Sequence, residues 1–364
     1  MEIFDKLGVA QRVGREIARG GEGTVFALES RPDIVVKLYH PEILSRRGTA
    51  LEAKIEQMIA LRPSFCSLQL AWPALSILDA SGAWCGYAMR RADGVPLAKL
   101  AHPMLCERYF SGLQRPELVD MLHGLVRTVA QLHGSGVCLG DINLNNFLYD
   151  RARSTVTLID CDSYQVDAGG GRLFRCPVGA PDMIPPEHHD RNLADVTRTV
   201  ESDLFSIAIL LFKCLMLGRH PYDFIGGDTV VQNLRGGHFP YGTGGASPGR
   251  EGAIPNGPWY VIWSHLTYEL KNLFIRTLRE GAGDPSVRAN AHEWMDALAR
   301  YRYGLDKGHH DVAMRPAVRK QSGLRGRSVQ NPDPAGVVRV RTDQRAGMSR
   351  WPSFIPMPST GGPT

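Results

Sequence analysis

The sequence predicts an α+β fold, with strands and a single helix in its first quarter and helices through most of the remainder. Three observations carry this. Short β-prone runs crowd residues 15–89, separated by glycine-bearing turns. One stretch among them, residues 41–61, has apolar residues at helical spacing. Beyond residue 115 the apolar positions recur at helical spacing in several long stretches.

Residues 1–14 carry no strong signal. Residues 15–28 place two β-prone runs around Gly20, Gly21 and Gly23, a hairpin whose tip can approach phosphate because no Cβ intervenes. Residues 33–39 read Asp-Ile-Val-Val-Lys-Leu-Tyr, a β-branched strand with Lys37 at its middle. A lysine there is costly unless a phosphate or carboxylate pairs it, or unless it faces solvent on an edge strand. Pro41 suits a first helical turn, and Ile43, Leu44, Leu51, Ile55, Met58 and Ile59 give the helix over 41–61 its apolar stripe. Residues 67–78 and 84–89 are two further strands, split by Asp79-Ala-Ser-Gly82.

Residues 116–133 form an amphipathic helix through Leu118, Met121, Leu122, Leu125, Val126, Val129 and Leu132. A short apolar strand follows at 156–159. The longest apolar stretch, 205–217, contains Lys213 and is too short to span a bilayer, so it reads as a buried helix. Residues 266–277 and 291–301 are closing helices. The Gly- and Pro-rich segment 221–266 reads as a surface insertion. From Leu305 the composition turns to Arg, Pro, Gly and Ser, a mostly disordered tail.

The tail also holds the charge. It has ten Lys/Arg and four Asp/Glu, a net of +6 against +5 for the whole chain, so residues 1–304 carry about −1. A near-neutral body gives no nucleic-acid or membrane signal. Seven cysteines, an odd number with no C-x-x-C pair, argue against a disulfide framework or zinc site. With no charged-then-apolar leader at the N-terminus, the expected location is the cytoplasm.

Chemistry concentrates in residues 132–162. Asp141 is followed five residues later by Asn146, and Asp160 ends the 156–159 strand. A carboxylate that can take a hydroxyl proton, with an amide and a carboxylate that can hold Mg²⁺, is what transfer of a γ-phosphate requires.

This stretch resembles the catalytic and metal-binding loops of the protein kinase superfamily. H-R-D-L-x-x-x-N is rewritten as Leu139-Gly140-Asp141-Ile142-x-x-x-Asn146, and D-F-G as Asp160-Cys161-Asp162. The resemblance extends over about residues 12–300. Ala18, Gly20, Gly23 and Val25 stand in the G-x-G-x-x-G-x-V loop, with alanine at the first glycine position. Lys37 falls where the V-A-I-K lysine falls. Pro185-Pro186-Glu187 resembles A-P-E, Asp203 the buried aspartate that holds the catalytic loop, and Arg288 the partner of the A-P-E glutamate.

The resemblance implies a two-lobed fold: a small lobe over residues 1–94, a helical lobe over 95–304, and the tail from 305. It implies ATP and Mg²⁺ as cofactors and a protein Ser/Thr kinase as the activity. Asp141 would be the catalytic base. Lys37 would position the phosphates, oriented by a helix glutamate. Glu52 and Glu56 are both candidates, and the E-x-x-I spacing favours Glu52. The nucleotide would lie among Ala18, Gly20, Gly21, Gly23, Val25, Val35, Lys37, Met89, Arg91 and Asn146, with Met89 as gatekeeper and residues 90–93 as hinge. Metal would be held by Asn146 and Asp160. Asp162 would either join that shell or cap the turn.

Three departures bear on function. Leu139 and Gly140 replace the histidine and arginine of H-R-D, so activity is not expected to depend on a phosphorylated activation loop. Cys161 and Asp162 replace the phenylalanine and glycine of D-F-G. Asn143 stands where Ser/Thr kinases often carry a lysine. Within the superfamily, residues 159–165 (Ile-Asp-Cys-Asp-Ser-Tyr-Gln) are similar to the kinase of the TerY-type phosphorylation triad. Its partners are a von Willebrand A-domain protein and a metal-dependent Ser/Thr phosphatase. Two alternatives stand beside the protein kinase: an aminoglycoside- or choline-type small-molecule kinase, which the loose motifs favour, and a nucleotide-binding pseudokinase scaffold.

Overall fold

In the computed structural model, which describes residues 1–62, 69–242, 254–255 and 257–317, the N-terminal region is rich in strands and the rest mainly helical. Strands β1 (Glu2–Asp5), β2 (Ala10–Arg19), β3 (Gly23–Leu28), β4 (Ile34–Tyr39), β5 (Pro73–Leu78) and β6 (Trp84–Arg90) close into a barrel in the order β1-β2-β3-β4-β6-β5. Five strands were expected. The sixth, β1, lies in the stretch without a signal. It is four residues long, with Ile3 its only fully buried side chain. Only pairing with β5 and β2 makes it a strand (Phe4 opposite Leu78, Ile3 opposite Gln11), and that pairing is non-local.

Helix α1 (Pro41–Leu61) packs Leu51, Ile55 and Met58 inward, and Lys54 lies on the same buried stripe. The strand expected over 67–78 is shorter. Residues 63–68 lie outside the described part. Residues 69–71 instead run beside Leu158, whose N–H donates to the Gln69 carbonyl and whose carbonyl accepts from Ala71. The Trp72 indole donates to the Met58 carbonyl at 2.8 Å, tying the barrel to the end of α1.

Beyond β6, the two-residue β7 (Val95–Pro96) already belongs to another sheet and pairs with β9 (Phe147–Asp150), so the chain leaves the barrel between Arg90 and Val95. Helices α2 (Pro103–Tyr109) and α3 (Arg115–Gly134) follow, then β8 (Val137–Cys138) and the β9–β10 (Thr155–Leu158) hairpin. β11 (Gln165–Asp167) pairs with both β8 and β12 (Leu173–Phe174). α4 (Val200–Leu215) is apolar nearly all round and buried along its length, as a central core helix must be. Its N-terminus is closed by a capping box, with Thr199 Oγ1 accepting from the Ser202 N–H and Ser202 Oγ from the Thr199 N–H. α5 (Val230–Arg235), α6 (Trp259–His265), α7 (Tyr268–Ile275), a π turn (Arg276–Glu280), the short α8 (Gly281–Gly283) and α9 (Ala291–Asp306) complete the described chain.

Two readings of the sequence need correction. The segment 221–266 is not a surface insertion where it is described. Tyr222, Leu234, Phe239, Tyr241, Ile262 and Trp263 are all buried, and Phe212 of α4 meets Tyr241 at 5.0 Å and Phe274 at 5.3 Å between ring centroids. The glycines and prolines masked an aromatic cluster spaced too irregularly to form a stripe. Residues 243–253 and 256 of that segment lie outside the described residues. Nor does the ordered chain stop at Leu305. α9 runs on to Asp306, and residues 312–314 dock on the start of α3. Arg115 donates its backbone N–H to the Val312 carbonyl, and its buried guanidinium bonds the carbonyls of Ala313 and Met314, each at 3.0 Å. The rest of the expected tail, 318–364, lies outside the described residues.

Candidate active site

A cavity of about 990 Å³ lies where the barrel meets the helical part, lined by β2–β4, β6, α1 and the loops after β8 and β10. The β2–β3 hairpin forms one wall. Ala18 pairs with Val25 in register, and Gly20 N–H donates to the Gly23 carbonyl at 2.9 Å to close the turn. Ala18, Gly20, Gly21, Gly23 and Val25 all line the cavity. Gly23 has a packing reason of its own: a Cβ there would stand 2.6 Å from the Leu38 carbonyl oxygen of β4. Val35 and Met89, opposite one another on β4 and β6, add apolar wall, and Arg91 lines the cavity just beyond β6.

The 137–146 loop is held from behind. Asp203, buried in the first turn of α4, accepts the N–H of Leu139 at 2.6 Å and of Gly140 at 2.9 Å, and His133 Nε2 lies 3.0 Å from the same carboxylate. This fixes the backbone leading into Asp141. Asn143 and Asn146 point their amides at Asp141 Oδ2, at 3.3 and 3.4 Å. Burial raises the Asp141 carboxyl above its ordinary value and the nearby Asp160 charge adds to this, while the two amides oppose it. Asp141, Asn146 and Asp160 all line the cavity. Asp160 sits in the left-handed region at φ 60°, ψ 34°, a conformation aspartate tolerates better than most side chains. Its side chain remains 45% exposed.

Lys37 reaches this group from β4. Its ammonium lies 2.6 Å from Asp160 Oδ1 and 2.9 and 2.8 Å from the two oxygens of Asp162. Here the structure departs from the expectation for Glu52. Glu52 makes no hydrogen bond to Lys37 and does not line the cavity, and Glu56 turns away to Lys6 at 2.7 Å and to Ser76. The carboxylate that orients the lysine belongs to Asp162.

Asp162 is also neither an exposed metal ligand nor a cap. Its side chain is 2% exposed, and it accepts from Lys37, from Tyr39 Oη at 2.6 Å and from Tyr87 Oη at 2.9 Å. Burial alone would raise its carboxyl, but Lys37 and then the two phenols hold it down to about 2. Burial pushes both tyrosines up, so both remain donors. The two phenols were not singled out from the sequence, although β geometry gives the signal. Tyr39 is two residues from Lys37 on the same strand face, and Tyr87 stands directly opposite Lys37 in the β4–β6 register.

Behind the loop, Glu187 and Arg288 form a two-pronged ion pair at 2.7 and 2.8 Å, and Arg288 also bonds the carbonyls of Gly281 and Glu201. Arg198 is buried beside Gly140. It donates to His188 Nδ1 at 2.7 Å and to the Val178 carbonyl at 2.9 Å. Gln165 fixes it by bonding both its N–H and its carbonyl, at 2.7 and 2.8 Å.

No protein-family model matches the chain. It is 28% identical over 317 residues to protein kinase YegI of Escherichia coli K12, covering 84% of this chain and 47% of that protein. The YegI of Escherichia coli O157:H7 gives 28% over 315 residues. Tribbles homolog 1 of mouse is 24% identical over 131 residues, 35% of this chain and 34% of that protein. The chain spans about half the length of the YegI proteins it matches. Among the described residues no helix is long and apolar enough to cross a membrane.

Proposed function

The chain is a protein-kinase-like superfamily member, and on that premise we propose that it is an ATP- and Mg²⁺-dependent protein kinase that moves the γ-phosphate to a serine or threonine hydroxyl. One observation carries the reading: Asp141, Asn146, Asp160 and Lys37 converge on a single cavity walled by a glycine hairpin.

The donor set fits a hard divalent cation. Asp160 uses one carboxylate oxygen on Lys37, and Asn146 Oδ1 accepts no hydrogen bond among the described residues. Asn146 and Asp160 would hold Mg²⁺, and Asp162, closed off by three donors, would not. Bound there, the ion neutralises charge on the phosphates. Asp141 orients the acceptor hydroxyl and takes its proton, and its raised affinity for a proton suits that role. Asn143 and Asn146 keep its carboxylate aimed at the cavity. Lys37, held by Asp162, keeps Asp160 in place. The glycine hairpin covers the phosphates, and Val25, Val35 and Met89 enclose the base. In this reading residues 1–94 and 95–304 are the two lobes. The Glu187–Arg288 pair matches the large-lobe pair of protein kinases, which favours a protein acceptor over a small molecule. A von Willebrand A-domain protein and a metal-dependent phosphatase are the partners to test first by co-purification.

Radiolabelled ATP and Mg²⁺, with a generic protein substrate, test the proposal. Label is expected on Ser/Thr with wild type. Asp141→Ala is expected to lower transfer by about 10²–10⁴-fold while ATP binding persists. Asp160→Ala is expected to abolish transfer as well. Binding without transfer in wild type points to a scaffold, and label only on small hydroxyl compounds points to a small-molecule kinase. Either result defeats the proposal.

A further inference from the structure

Helix α1 presents a lysine to the cavity where a carboxylate was expected. Lys54 is 6% exposed, lies on the buried stripe with Leu51, Ile55 and Met58, and lines the cavity. Of the two buried cations lining it among the described residues, Lys37 is paired with two carboxylates, whereas Lys54 makes no hydrogen bond or ion pair. An ammonium taken out of water without a partner is costly.

The neighbouring groups are already committed. Asp162 directs its oxygens to Lys37, Tyr39 and Tyr87. The Cys176 thiol donates to the Val178 carbonyl at 3.3 Å. Glu22 of the glycine hairpin is taken by Arg47, at 2.5 Å. Burial lowers the Lys54 ammonium to about 8, with Cys176 and Asp162 opposing the shift and Arg47 adding to it. The charge cluster around Lys37 is moreover net negative, and Asp141 adds a further carboxylate at the cavity. Near Lys37 a polyanion meets Asp141, Asp160 and Asp162 and a lysine already neutralised by two of them, and the arginines on the lining (Arg19, Arg47, Arg90, Arg91 and Arg175) are not buried. Beside the metal, Lys54 is the one buried cation among the described lining residues left to meet phosphate charge.

We propose that Lys54 is a second phosphate-binding cation of the site, contributed by α1 and contacting phosphate oxygens of the bound nucleotide. The proposal rests on the cavity's being a nucleotide site. A compact ammonium suits a phosphate as a point charge. The contact also ties α1 to the nucleotide directly, since α1 sends no carboxylate to Lys37.

Calorimetric titration of the full chain with ATP and with adenosine, in Mg²⁺, tests it on wild type, Lys54→Met and Lys54→Arg. Lys54→Met is expected to weaken ATP binding about ten- to hundredfold, the weight of one charge-assisted contact, and to leave adenosine within about twofold. Lys54→Arg recovers most of the ATP affinity. Nucleotide-free Lys54→Met melts at or above the wild-type temperature, because an uncompensated buried charge is gone. A purely structural lysine would instead lower the melting temperature and weaken both ligands together, and that result overturns the proposal. So does ATP binding by Lys54→Met as tight as that of wild type. Failure of wild type to bind either ligand removes the nucleotide reading itself, and the proposal with it, before any variant is measured.

Discussion

Asp162→Asn destabilises the protein by about 3–5 kcal/mol, the cost of leaving a buried charge without its ionised partner. Glu52→Gln changes stability by no more than about 0.5 kcal/mol. The contrast follows from where the lysine's partner sits. Lys37 and Asp162 are both buried, and their side chains meet at 2.8 Å. In the variant, Lys37 keeps only Asp160, whose side chain is 45% exposed and whose other oxygen is the proposed metal ligand. Tyr39 and Tyr87 lose an anionic acceptor as well. Phosphoryl transfer should fall about 10²-fold, because a misplaced ammonium shifts Asp160 and the phosphates together. Denaturant unfolding and labelled-ATP transfer on both variants check this. Equal loss in the Glu52 variant, with little in the Asp162 variant, would mean that α1 supplies the partner after all.

This arrangement has a regulatory consequence. When the acid that holds the lysine lies on a helix, rotating that helix breaks the pair. Here both partners sit on the β4 strand and the loop after β10, so the pair does not depend on a carboxylate from α1.

Placing an arginine at position 140, where the H-R-D motif that this loop resembles carries one, should damage the protein. Gly140→Arg is expected to cost about 2–5 kcal/mol and to lower transfer. Gly140 has φ +70°, where a side chain is strained by about 1–2 kcal/mol. Its Cβ would lie 2.7 Å from Cys176 Cβ and Sγ and 3.4 Å from Arg198 Cγ, and relief of such overpacking costs about 1–3 kcal/mol more. The space is already occupied. Arg198, fixed by Gln165, reaches the Val178 carbonyl and His188. Gly140→Ala separates the terms, since it carries the strain and the Cys176 clash without the long side chain. Thermal unfolding and transfer assays report the outcome. A Gly140→Arg protein as stable and as active as wild type would show that the loop can move aside.

Local chemistry explains what was legible beforehand. Asp141 and Asn146 are separated by one short turn, so their spacing alone brings their side chains together. A lysine amid β-branched residues, and a carboxylate at a strand end, likewise advertise themselves without any fold. Helix α3 was readable because its apolar stripe is long and regular, and α4 because its apolar run is long, although their ends shifted. The aromatic cluster around Phe212 was not, because its members come from separate elements and share no period.

The sequence by itself determined the kinds of side chain available for phosphoryl transfer, their order along the chain and the elements that carry them. Only the tertiary structure decided which charge meets which. Glu52 and Glu56 were the lysine partners legible in the sequence, and burial with two phenol donors selected Asp162 instead. Lys54 and Glu52 are two residues apart on one helix, and the direction in which α1 faces the barrel turned the lysine inward. Pairing between distant charges depends on distance and desolvation, and neither exists until the chain has folded.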